Sequence, residues 1–586
     1  MSTDATETDD LERVADVESL REEGRAVTMA GGRPVALFHH EDEIYAVDNR
    51  CPHMGFPLSK GSVEDGLLTC DWHHARFELA EGDTLDIWAD DVQTFPTTVR
   101  DGDVYVDPDP EPEVPPETHW RNRLADGLAE NLSLVSAKAV INLDHLGEGF
   151  TTPLETAVDF GTQYRADGWG RGMTTLGAMA NLYDEVGHDE KLRAMFVGVT
   201  EVADNCSGEP PRFEQYALNN DDLSKARLKS WFRDTCDVRD STGAERCLRT
   251  AANVLPREDL VEILVAAATD HIYMNNSHTV DFVNKAVETL DHVGWDRREA
   301  VRATVVDTIA DGSRGEETSM WRQPIDVAGL CFAAADDLPE MVAAGAGDDW
   351  DRPDDFVETL LADDPHEIDE ALRDAVAAGA TTEQLAHAVA VAALRRVAHF
   401  GTGNEFGDWN TVHHTFSFAN AVDNLARRTD ADDVYEAVWQ GAMSVYHDRF
   451  LNQPRTSLPD AGDGAGEDPA ELRERLLETY DEQGRVDEAA RIVGAHFDAG
   501  GDPGDLKRTM GEGLLREDAG FHTLQNVEAG FRQFELAESD RERRLALIAP
   551  ARYMAAHFPT RREDEQTFQI AERLNRGERI HEGTDD

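Results

Sequence analysis

Two short segments of this chain each carry a cysteine and a histidine at the spacing of metal ligands. The first reads Cys51-Pro-His53 and the second reads Cys70-Asp-Trp-His73, with sixteen residues between the two pairs. Thiolates and neutral imidazoles both bind zinc and iron well. The pattern therefore predicts a metal centre with two sulfur and two nitrogen ligands. It is either a zinc site or a [2Fe–2S] cluster in which one iron takes the sulfurs and the other takes the nitrogens.

The residues that flank the two pairs favour the cluster. The segments Cys-Pro-His-Met-Gly-Phe-Pro-Leu at 51–58 and Trp-His-His-Ala-Arg-Phe-Glu-Leu at 72–79 resemble the Rieske family, and the resemblance extends from Val14 to Asp107. It implies a small domain that transfers electrons. It also implies four cluster ligands: Cys51, His53, Cys70 and His73.

Four positions near the ligands indicate which kind of Rieske domain this sequence resembles. Respiratory-complex relatives have two bracing cysteines where this chain has Phe56 and Trp72. The same relatives have a serine and a tyrosine where this chain has Ala75 and Phe77. Those hydroxyl groups donate hydrogen bonds to sulfur, so their absence predicts a low-potential cluster of the ferredoxin and oxygenase type. His74 stands where glycine is usual.

The charge balance is strongly acidic. Acidic residues outnumber basic residues by 118 to 55, which leaves a net charge of −63, and only seven of the basic residues are lysines. Such a surface is typical of proteins in molar salt, where the Debye length is about 3 Å. A disordered acidic chain is the alternative, but 40% hydrophobic residues and ten tryptophans favour a packed core. We expect a halophilic source and no binding to nucleic acid, because nothing would neutralise the phosphates.

The sequence shows no signal for export or for membrane insertion. The first ten residues lack a basic start and an apolar core, and no apolar run approaches the length of a membrane span. The six cysteines show no disulfide framework. We therefore expect a cytoplasmic protein without a membrane span.

Local patterns divide the chain into a β-rich part and a long helical part. Short β-rich runs such as Glu43-Ile-Tyr-Ala-Val47 occupy the N-terminal part. Beyond Thr118, alanine- and leucine-rich stretches have helical spacing, and Thr381-Thr-Glu-Gln384 is typical of a helix N-terminus. The predicted fold is a small all-β Rieske domain followed by a large all-α domain of repeated helical units. Its parts are an acidic tail (1–13), the Rieske domain (14–107), a proline-rich linker (108–118) and the helical domain (119–586).

The helical part repeats itself over long distances. The segments His278-Thr-Val-Asp-Phe-Val-Asn284 and His414-Thr-Phe-Ser-Phe-Ala-Asn420 share the pattern His-Thr-x-x-Phe-x-Asn. His522-Thr is a fainter third copy, and Met173-Thr occupies the equivalent place in the first unit. Such repeats predict stacked helical units, with chance similarity between alanine-rich helices as the alternative. The predicted units are 119–246, 247–371, 372–468 and 469–586.

The histidines of the helical part differ from those of ring-hydroxylating Rieske oxygenases. Those enzymes hold mononuclear iron with a His-x4-His pair and a later aspartate in a β-rich domain. None of the 21 histidines here lies five residues from another, and the following domain is predicted to be helical. A standard oxygenase of that class is therefore not expected.

Histidines nevertheless recur at matching places in the predicted units. His271 and His399 follow apolar helices, whereas His278 and His414 begin the repeated segments. We expect these four side chains to line a shared metal or substrate pocket, because equivalent positions of stacked repeats face the same side. The alternative is that they are core or helix-capping histidines that were duplicated with the repeat.

Two functions follow from these observations. In the first, the chain is an oxidoreductase whose cluster passes electrons to the histidine-lined site, for an oxygenase-type reaction on a small-molecule substrate. In the second, it is an electron carrier whose helical domain is a binding or oligomerisation scaffold. No dinucleotide-binding fingerprint is present, so a separate reductase or ferredoxin must supply the electrons. The sequence leaves open a second metal in the helical domain and an oligomeric state.

Overall fold

The computed structural model of the chain contains two compact units. The first comprises the described residues of Met1–Thr156 and Gln566–Asp586, and the second is Ala157–Glu565. Most of the predicted acidic tail lies outside the described residues. The residues that the structure describes are 11–112, 114–220, 222–459, 462, 464–578 and 580.

Short antiparallel strands form the framework of the first unit. They are β1 (Glu12–Asp16), β2 (Arg25–Ala30), β3 (Arg33–His40), β4 (Glu43–Asp48), β5 (Ser62–Glu64), β6 (Leu67–Thr69), β7 (Arg76–Glu78), β8 (Thr97–Arg100) and β9 (Asp103–Val106). They pair in three sheets with the strand orders β1-β9-β8, β2-β3-β4 and β5-β6-β7. The first strand begins two residues before the predicted start of the domain at Val14.

Strand β3 takes part in two hydrophobic cores of the first unit. Successive side chains of a strand point to opposite faces. Val35 and Leu37 therefore join one core, while Ala36 and Phe38 join the other. The second core also contains Cys51 and Cys70, so packing around β3 holds both cysteine–histidine loops.

Three helices complete the part of the first unit that matters for the site. They are α1 (Val17–Glu23), α2 (Pro116–Ala129) and α3 (Ser133–His145). Helices α2 and α3 pack closely because position 127 is glycine: a Cβ there would clash with Ser136 Oγ. Helix α2 thus begins inside the predicted linker 108–118, and the α2–α3 hairpin belongs to the same unit as the β domain. Composition predicted these helices, but it does not show which core a helix joins.

The second unit is helical throughout its described regular structure, which confirms the predicted fold class. Helices α4 (Thr151–Gln163) and α24 (Glu563–Asn575) contain the two points where the sequence passes between the units. The helices between them are α5 (Arg171–Leu182), α6 (His188–Cys206), α7 (Lys225–Asp237), α8 (Ser241–Val254), α9 (Arg257–Thr269), α10 (His278–Val293), α11 (Arg298–Ala303), α12 (Val306–Ala310), α13 (Val327–Gly345), α14 (Phe356–Leu360), α15 (Pro365–Ala377), α16 (Thr382–Ala398), α17 (Asp408–Ala426), α18 (Asp433–His447), α19 (Pro469–Tyr480), α20 (Val486–Asp498), α21 (Pro503–Leu515), α22 (Phe521–Leu536) and α23 (Asp540–His557).

A ring of four helices lies at the centre of the second unit. Helix α10 packs against α17, α17 against α22, α22 against α5, and α5 against α10. Each also packs against a partner outside the ring: α6 on α5, α9 on α10, α16 on α17 and α23 on α22. Helix α16 begins at the predicted place, where Thr381 and Gln384 form a reciprocal capping box.

The four echoing sequence segments lie on the four helices of this ring. His278 begins α10, His414 lies in α17, His522 begins α22 after one residue, and Met173 lies near the start of α5. Each predicted repeat unit thus contributes one ring helix. The predicted unit boundaries at 246 and 371 nevertheless fall inside α8 and α15, because helical periodicity does not reveal where one packed unit ends. Among the described residues, no helix is long and apolar enough to span a membrane.

Candidate metal centres

The two cysteine–histidine loops of the first unit fold alike. One follows β4 and the other joins β6 to β7. In each loop the cysteine N–H donates to the carbonyl oxygen five residues later, from Cys51 to Phe56 and from Cys70 to Ala75, both at 2.8 Å. The shared turn explains how two unrelated segments can present the same Cys-then-His arrangement to one centre.

A left-handed residue closes each of these turns. The N–H of Gly55 donates to the Cys51 carbonyl oxygen, and the N–H of His74 donates to that of Cys70. Gly55 has φ of 75° and His74 has φ of 63°, so the two occupy equivalent places. Glycine adopts this region without strain, whereas other residues do so at a cost. The unusual histidine therefore stands where the backbone favours glycine.

The four predicted ligands differ in their exposure to solvent. The thiols of Cys51 and Cys70 are in the core, at 3% and 1% exposure. His53 is half-buried and His73 is exposed, and the centres of their rings are 4.9 Å apart. A cluster bound here would have its two sulfur ligands in the core and its two histidine ligands towards the surface.

The chemistry of this donor set fits a [2Fe–2S] cluster. The two thiols hydrogen-bond one another, which lowers the pKa of Cys70 to about 6 and, together with burial, raises the pKa of Cys51. Burial first, and the charge of Lys138 second, lower the pKa of His53 to about 4 and keep its ring neutral at pH 7. His53 Nδ1 is buried and has no hydrogen-bond partner among the described residues. A neutral, unpartnered imidazole nitrogen is what an iron ligand requires.

A buried ion triad supports the first of these loops. Lys138 Nζ donates to the Pro52 carbonyl oxygen at 2.5 Å and lies 3.4 Å from that of His53. It also contacts Asp90 Oδ2 at 2.9 Å, and Asp90 Oδ1 accepts a hydrogen bond from Arg123 Nε at 2.9 Å. Burial alone would raise the pKa of Asp90, but the two cations hold it below its usual value. The triad therefore joins the α2–α3 hairpin to the ligand loop.

In the second unit, three histidines converge inside the four-helix ring. One ring nitrogen from each of His278, His414 and His522 lies within 4.8 Å of the others. His414 Nε2 is 3.1 Å from His522 Nε2. The ring of His278 lies 4.8 Å from that of His414 and 5.6 Å from that of His522, measured between centroids. We call these three residues the histidine triad.

The separation of two nitrogens of the histidine triad suits one metal ion. Two nitrogens about 2.1 Å from a common ion, at 90–109° to one another, are about 3.0–3.4 Å apart. The measured 3.1 Å between His414 and His522 lies in that range. Burial, and after it the neighbouring imidazoles, lower the pKa of each of the three rings to about 4, so all are neutral at pH 7. His278 Nδ1 is also buried without a partner among the described residues.

Ionisable groups continue along the ring beyond the histidine triad. Lys285 Nζ donates to Glu288 at 2.7 Å and to both carboxylate oxygens of Glu528 at 2.8 Å. Burial raises the pKa of Glu528, while Lys285 outweighs burial and lowers the pKa of Glu288 to about 2. Burial raises the pKa of Asp281 to about 7, although Lys285 opposes it. Asp281 can therefore exchange a proton near neutral pH.

A cavity of about 260 Å³ adjoins these charged residues, and Glu288 and Glu528 are part of its lining. Asn181 of α5 also lines it and donates a hydrogen bond to each of those carboxylates at 2.8 Å. Polar groups thus occupy the ring from the histidine triad to this cavity.

Two of the four predicted pocket histidines lie elsewhere. His271 Nδ1 is 2.8 Å from Glu316, and its Nε2 is 3.2 Å from Asp237. His399 Nδ1 is 2.8 Å from the Thr456 carbonyl oxygen. The structure brings His278 and His414 together but not these two, so the expected four-residue pocket is replaced by the histidine triad. The reason is that His271 and His399 come after their helices and are held by local partners.

His522 was absent from the predicted set of pocket residues, although its His-Thr segment is the third copy of the repeat. That segment lacks the phenylalanine of the pattern His-Thr-x-x-Phe-x-Asn, and its asparagine comes two residues early, at Asn526. The retained His-Thr pair and its spacing from His414 were the signals that could have identified it.

A second group of possible metal ligands contains His387, Glu538 and Glu542. His387 Nδ1 lies 3.2 Å from Asp423, and its Nε2 lies 3.5 Å from Glu542. Although burial opposes it, hydrogen bonds with Asp423 and Glu542 raise the pKa of His387 to about 9. A metal ion would have to displace a proton from this imidazole, whose two nitrogens already face carboxylates, so we describe the group as an ion-pair network.

Comparisons with known proteins match the N-terminal part of the chain. A family model described as the Rieske [2Fe-2S] domain matches residues 11–96. The 3-phenylpropionate/cinnamic acid dioxygenase ferredoxin subunit of Photorhabdus laumondii is 40% identical over 74 residues, which are 12% of this chain and 70% of the relative. The subunit of that name from Escherichia coli strain K12 is 36% identical over 87 residues, which are 14% of this chain and 82% of the relative.

One solved structure that the comparison matches to part of this chain is the ferredoxin of carbazole 1,9a-dioxygenase from Nocardioides aromaticivorans IC177. It is 22% identical, and the match covers 17% of this chain and 100% of that chain, with a TM-score of 0.17. The family model leaves residues 97–586 unmatched.

Proposed function

Because this chain belongs to the Rieske [2Fe–2S] family through its residues 11–96, we propose that it is an oxidoreductase whose cluster passes electrons to a metal ion bound by the histidine triad. The family membership establishes an electron-transfer cluster in the first unit. We assign its ligands as Cys51, His53, Cys70 and His73.

The observation that carries the second half of this proposal is the geometry of the histidine triad. His278, His414 and His522 come from three different helices, so their convergence is a property of the folded unit and not of a local turn. Three neutral imidazoles whose nitrogens lie within 4.8 Å of one another could provide three ligands and leave the remaining positions of an ion open. Sites with open positions are typical of metal ions that act on a substrate.

The surroundings of the histidine triad suit a reaction that must avoid bulk water. Phe282 and Phe521 lie against His278, with ring centroids 5.4 Å and 5.7 Å away. These rings shield one side of the site, while Asp281 and the charged residues beyond it provide groups that can move protons. A bound iron ion would supply one-electron chemistry with dioxygen.

The electron donor belongs to the proposal as well. We propose a separate reductase or ferredoxin as the donor, a small molecule as the substrate and the cytoplasm as the location. The curated relatives are ferredoxin subunits of dioxygenases, which supports an oxygenase-type role for the electrons.

Metal analysis of the full chain tests this function. Protein supplied with iron and sulfide should contain about three irons per chain, of which two belong to the cluster. His414→Ala and His522→Ala should each lose about one iron and leave the cluster spectrum unchanged. Reoxidation of the reduced cluster by dioxygen should then be several-fold slower in these variants than in the wild type.

His271→Ala and His399→Ala are the matched controls. Both remove a histidine of the second unit that lies away from the histidine triad, and both should keep the third iron. A wild-type protein with two irons and no other metal would contradict the proposal. That result would leave the electron carrier with a helical binding or oligomerisation scaffold as the function.

A further inference from the structure

We infer that Lys138 is a positioning residue for the cluster, and that its charge raises the reduction potential of the cluster. The inference depends on the cluster ligands proposed above and is independent of the histidine triad. Lys138 lies on α3, outside residues 11–96 that match the Rieske family. The α2–α3 hairpin would thus be a regulator of the cluster that the ferredoxin-sized part of the chain does not contain.

The first argument is the direct contact of Lys138 with the ligand loop. Its Nζ donates to the carbonyl oxygen of Pro52, which lies between the proposed ligands Cys51 and His53. A lysine held at both ends, by its helix and by this carbonyl, restricts the loop that carries half of the ligands. Residues that orient metal ligands through a hydrogen bond of this kind tune the metal itself.

The second argument is that the ion triad of Lys138, Asp90 and Arg123 carries a net positive charge. Asp90 stays ionised between two cations, so the three buried side chains sum to one positive charge. Arg123 also pairs with Asp126 at 2.7 Å, but the side chain of Asp126 is 40% exposed and is therefore screened by salt more strongly than the buried charges. Lys138 is 5% exposed, Arg123 7% and Asp90 6%. Buried charges are screened far less by salt than surface charges, so this one persists in molar salt. Reduction of the cluster adds a negative charge nearby, which the cation stabilises.

The third argument is that main-chain hydrogen bonds hold the ion triad in place. Arg123 Nη2 donates to the carbonyl oxygens of Ile87 at 2.7 Å and Ala89 at 3.0 Å, next to Asp90. Lys138 is one of only seven lysines in a chain of net charge −63. It is buried, as Lys285 of the second unit is, and it is fixed against the proposed cluster loop.

Redox titration of the full-length protein tests the inference. The fraction of reduced cluster is followed by circular dichroism and electron paramagnetic resonance at pH 7 in molar salt. Lys138→Met should lower the equilibrium constant for one-electron reduction about tenfold, which is about 59 mV. Lys138→Arg keeps the charge, so its equilibrium constant should stay within about twofold of the wild type. A merely structural role would give similar shifts in both variants, because arginine does not reproduce the shape of lysine.

Two further variants keep the test decisive. Lys60→Met removes an exposed lysine of the same unit and should leave the potential unchanged. Asp90→Asn removes the negative member of the triad and should raise the potential, even if Lys138→Met assembles too little cluster to measure. The inference is overturned by a wild-type potential in Lys138→Met with intact cluster, by an equal fall in Lys138→Arg, or by a fall in Asp90→Asn.

Discussion

His414 and His522 direct their Nε2 atoms at one another across 3.1 Å, from two neighbouring helices of the central ring. Farther along the same helices, Asn420 and Gln533 also meet, at 3.0 Å, so the two helices run in parallel. One neutral imidazole in this position can donate a hydrogen bond to the other, depending on the tautomer. A cation bound by both nitrogens would fit the same separation, which is the basis of the first prediction.

Cobalt(II) should bind at this place and report its geometry. In metal-depleted protein that carries Cys51→Ser and Cys70→Ser, the cluster loops offer no thiolate to cobalt. This protein should develop visible ligand-field absorption at about one equivalent of cobalt, because three imidazoles are suitable ligands. Adding His522→Ala should remove most of that absorption, whereas adding His399→Ala should leave it. Equal cobalt absorption with and without His522→Ala would exclude the histidine triad as the site.

The cluster should depend on Cys70 and should be independent of cysteines elsewhere. Cys70→Ser should abolish the visible absorption and the electron paramagnetic resonance signal of the cluster, because it removes a sulfur ligand. Helical circular dichroism should change little, since most helices belong to the other compact unit. Cys206→Ser, which alters a buried cysteine of the second unit, is the control and should keep the full signal.

His74→Gly should stabilise the first unit. The backbone at His74 has φ of 63°, which glycine adopts without the penalty of about 1 kcal/mol that other residues meet there. Gly55→Ala is the reciprocal change and should destabilise by about 1 kcal/mol or more, since it adds that penalty in the equivalent turn. Denaturant unfolding followed by the cluster absorption measures both. The changes in the free energy of unfolding should have opposite signs in the two variants. A loss of stability in His74→Gly would contradict the left-handed backbone conformation at this residue.

His387 should make stability depend on pH. Its folded pKa of about 9 lies above the ordinary value of 6.5, so its contribution is complete below pH 6.5 and is lost as the pH rises through 9. The shift corresponds to about 3 kcal/mol in the free energy of unfolding. The difference between wild type and His387→Gln should shrink by that order between pH 6 and pH 10 in molar salt. A constant difference across this range would show that the imidazole is not protonated in the folded state.

The protein should require high salt. Dilution from molar to about 0.1 M salt lengthens the Debye length from about 3 Å to about 10 Å and exposes the 118 carboxylates to mutual repulsion. We expect helical circular dichroism to fall on dilution and to return when salt is restored. Unchanged unfolding temperatures across this range would contradict the halophilic interpretation.

Local chemistry explains which parts of this protein could be predicted from the sequence. The two cysteine–histidine loops could be predicted because each cysteine and its histidine lie within one turn, together with Gly55, Pro57 and other residues that shape it. The similarity of the four ring helices could be recognised from the sequence, since each keeps its own copy of the His-Thr or Met-Thr segment. The fold class followed from the change between β-rich and helical patterns near residue 118.

Tertiary packing decided the features that join distant residues. His278, His414 and His522 are more than a hundred residues apart from one another, and only the ring of parallel helices selects them over His271 and His399. Lys138 looks like any helical lysine, and its place beside the Pro52 carbonyl depends on how α3 packs. The sequence by itself thus determined the Rieske family of the N-terminal part and the helical class of the rest. The structure alone determined which side chains meet, because long-range contacts depend on the packing of whole helices and not on local spacing.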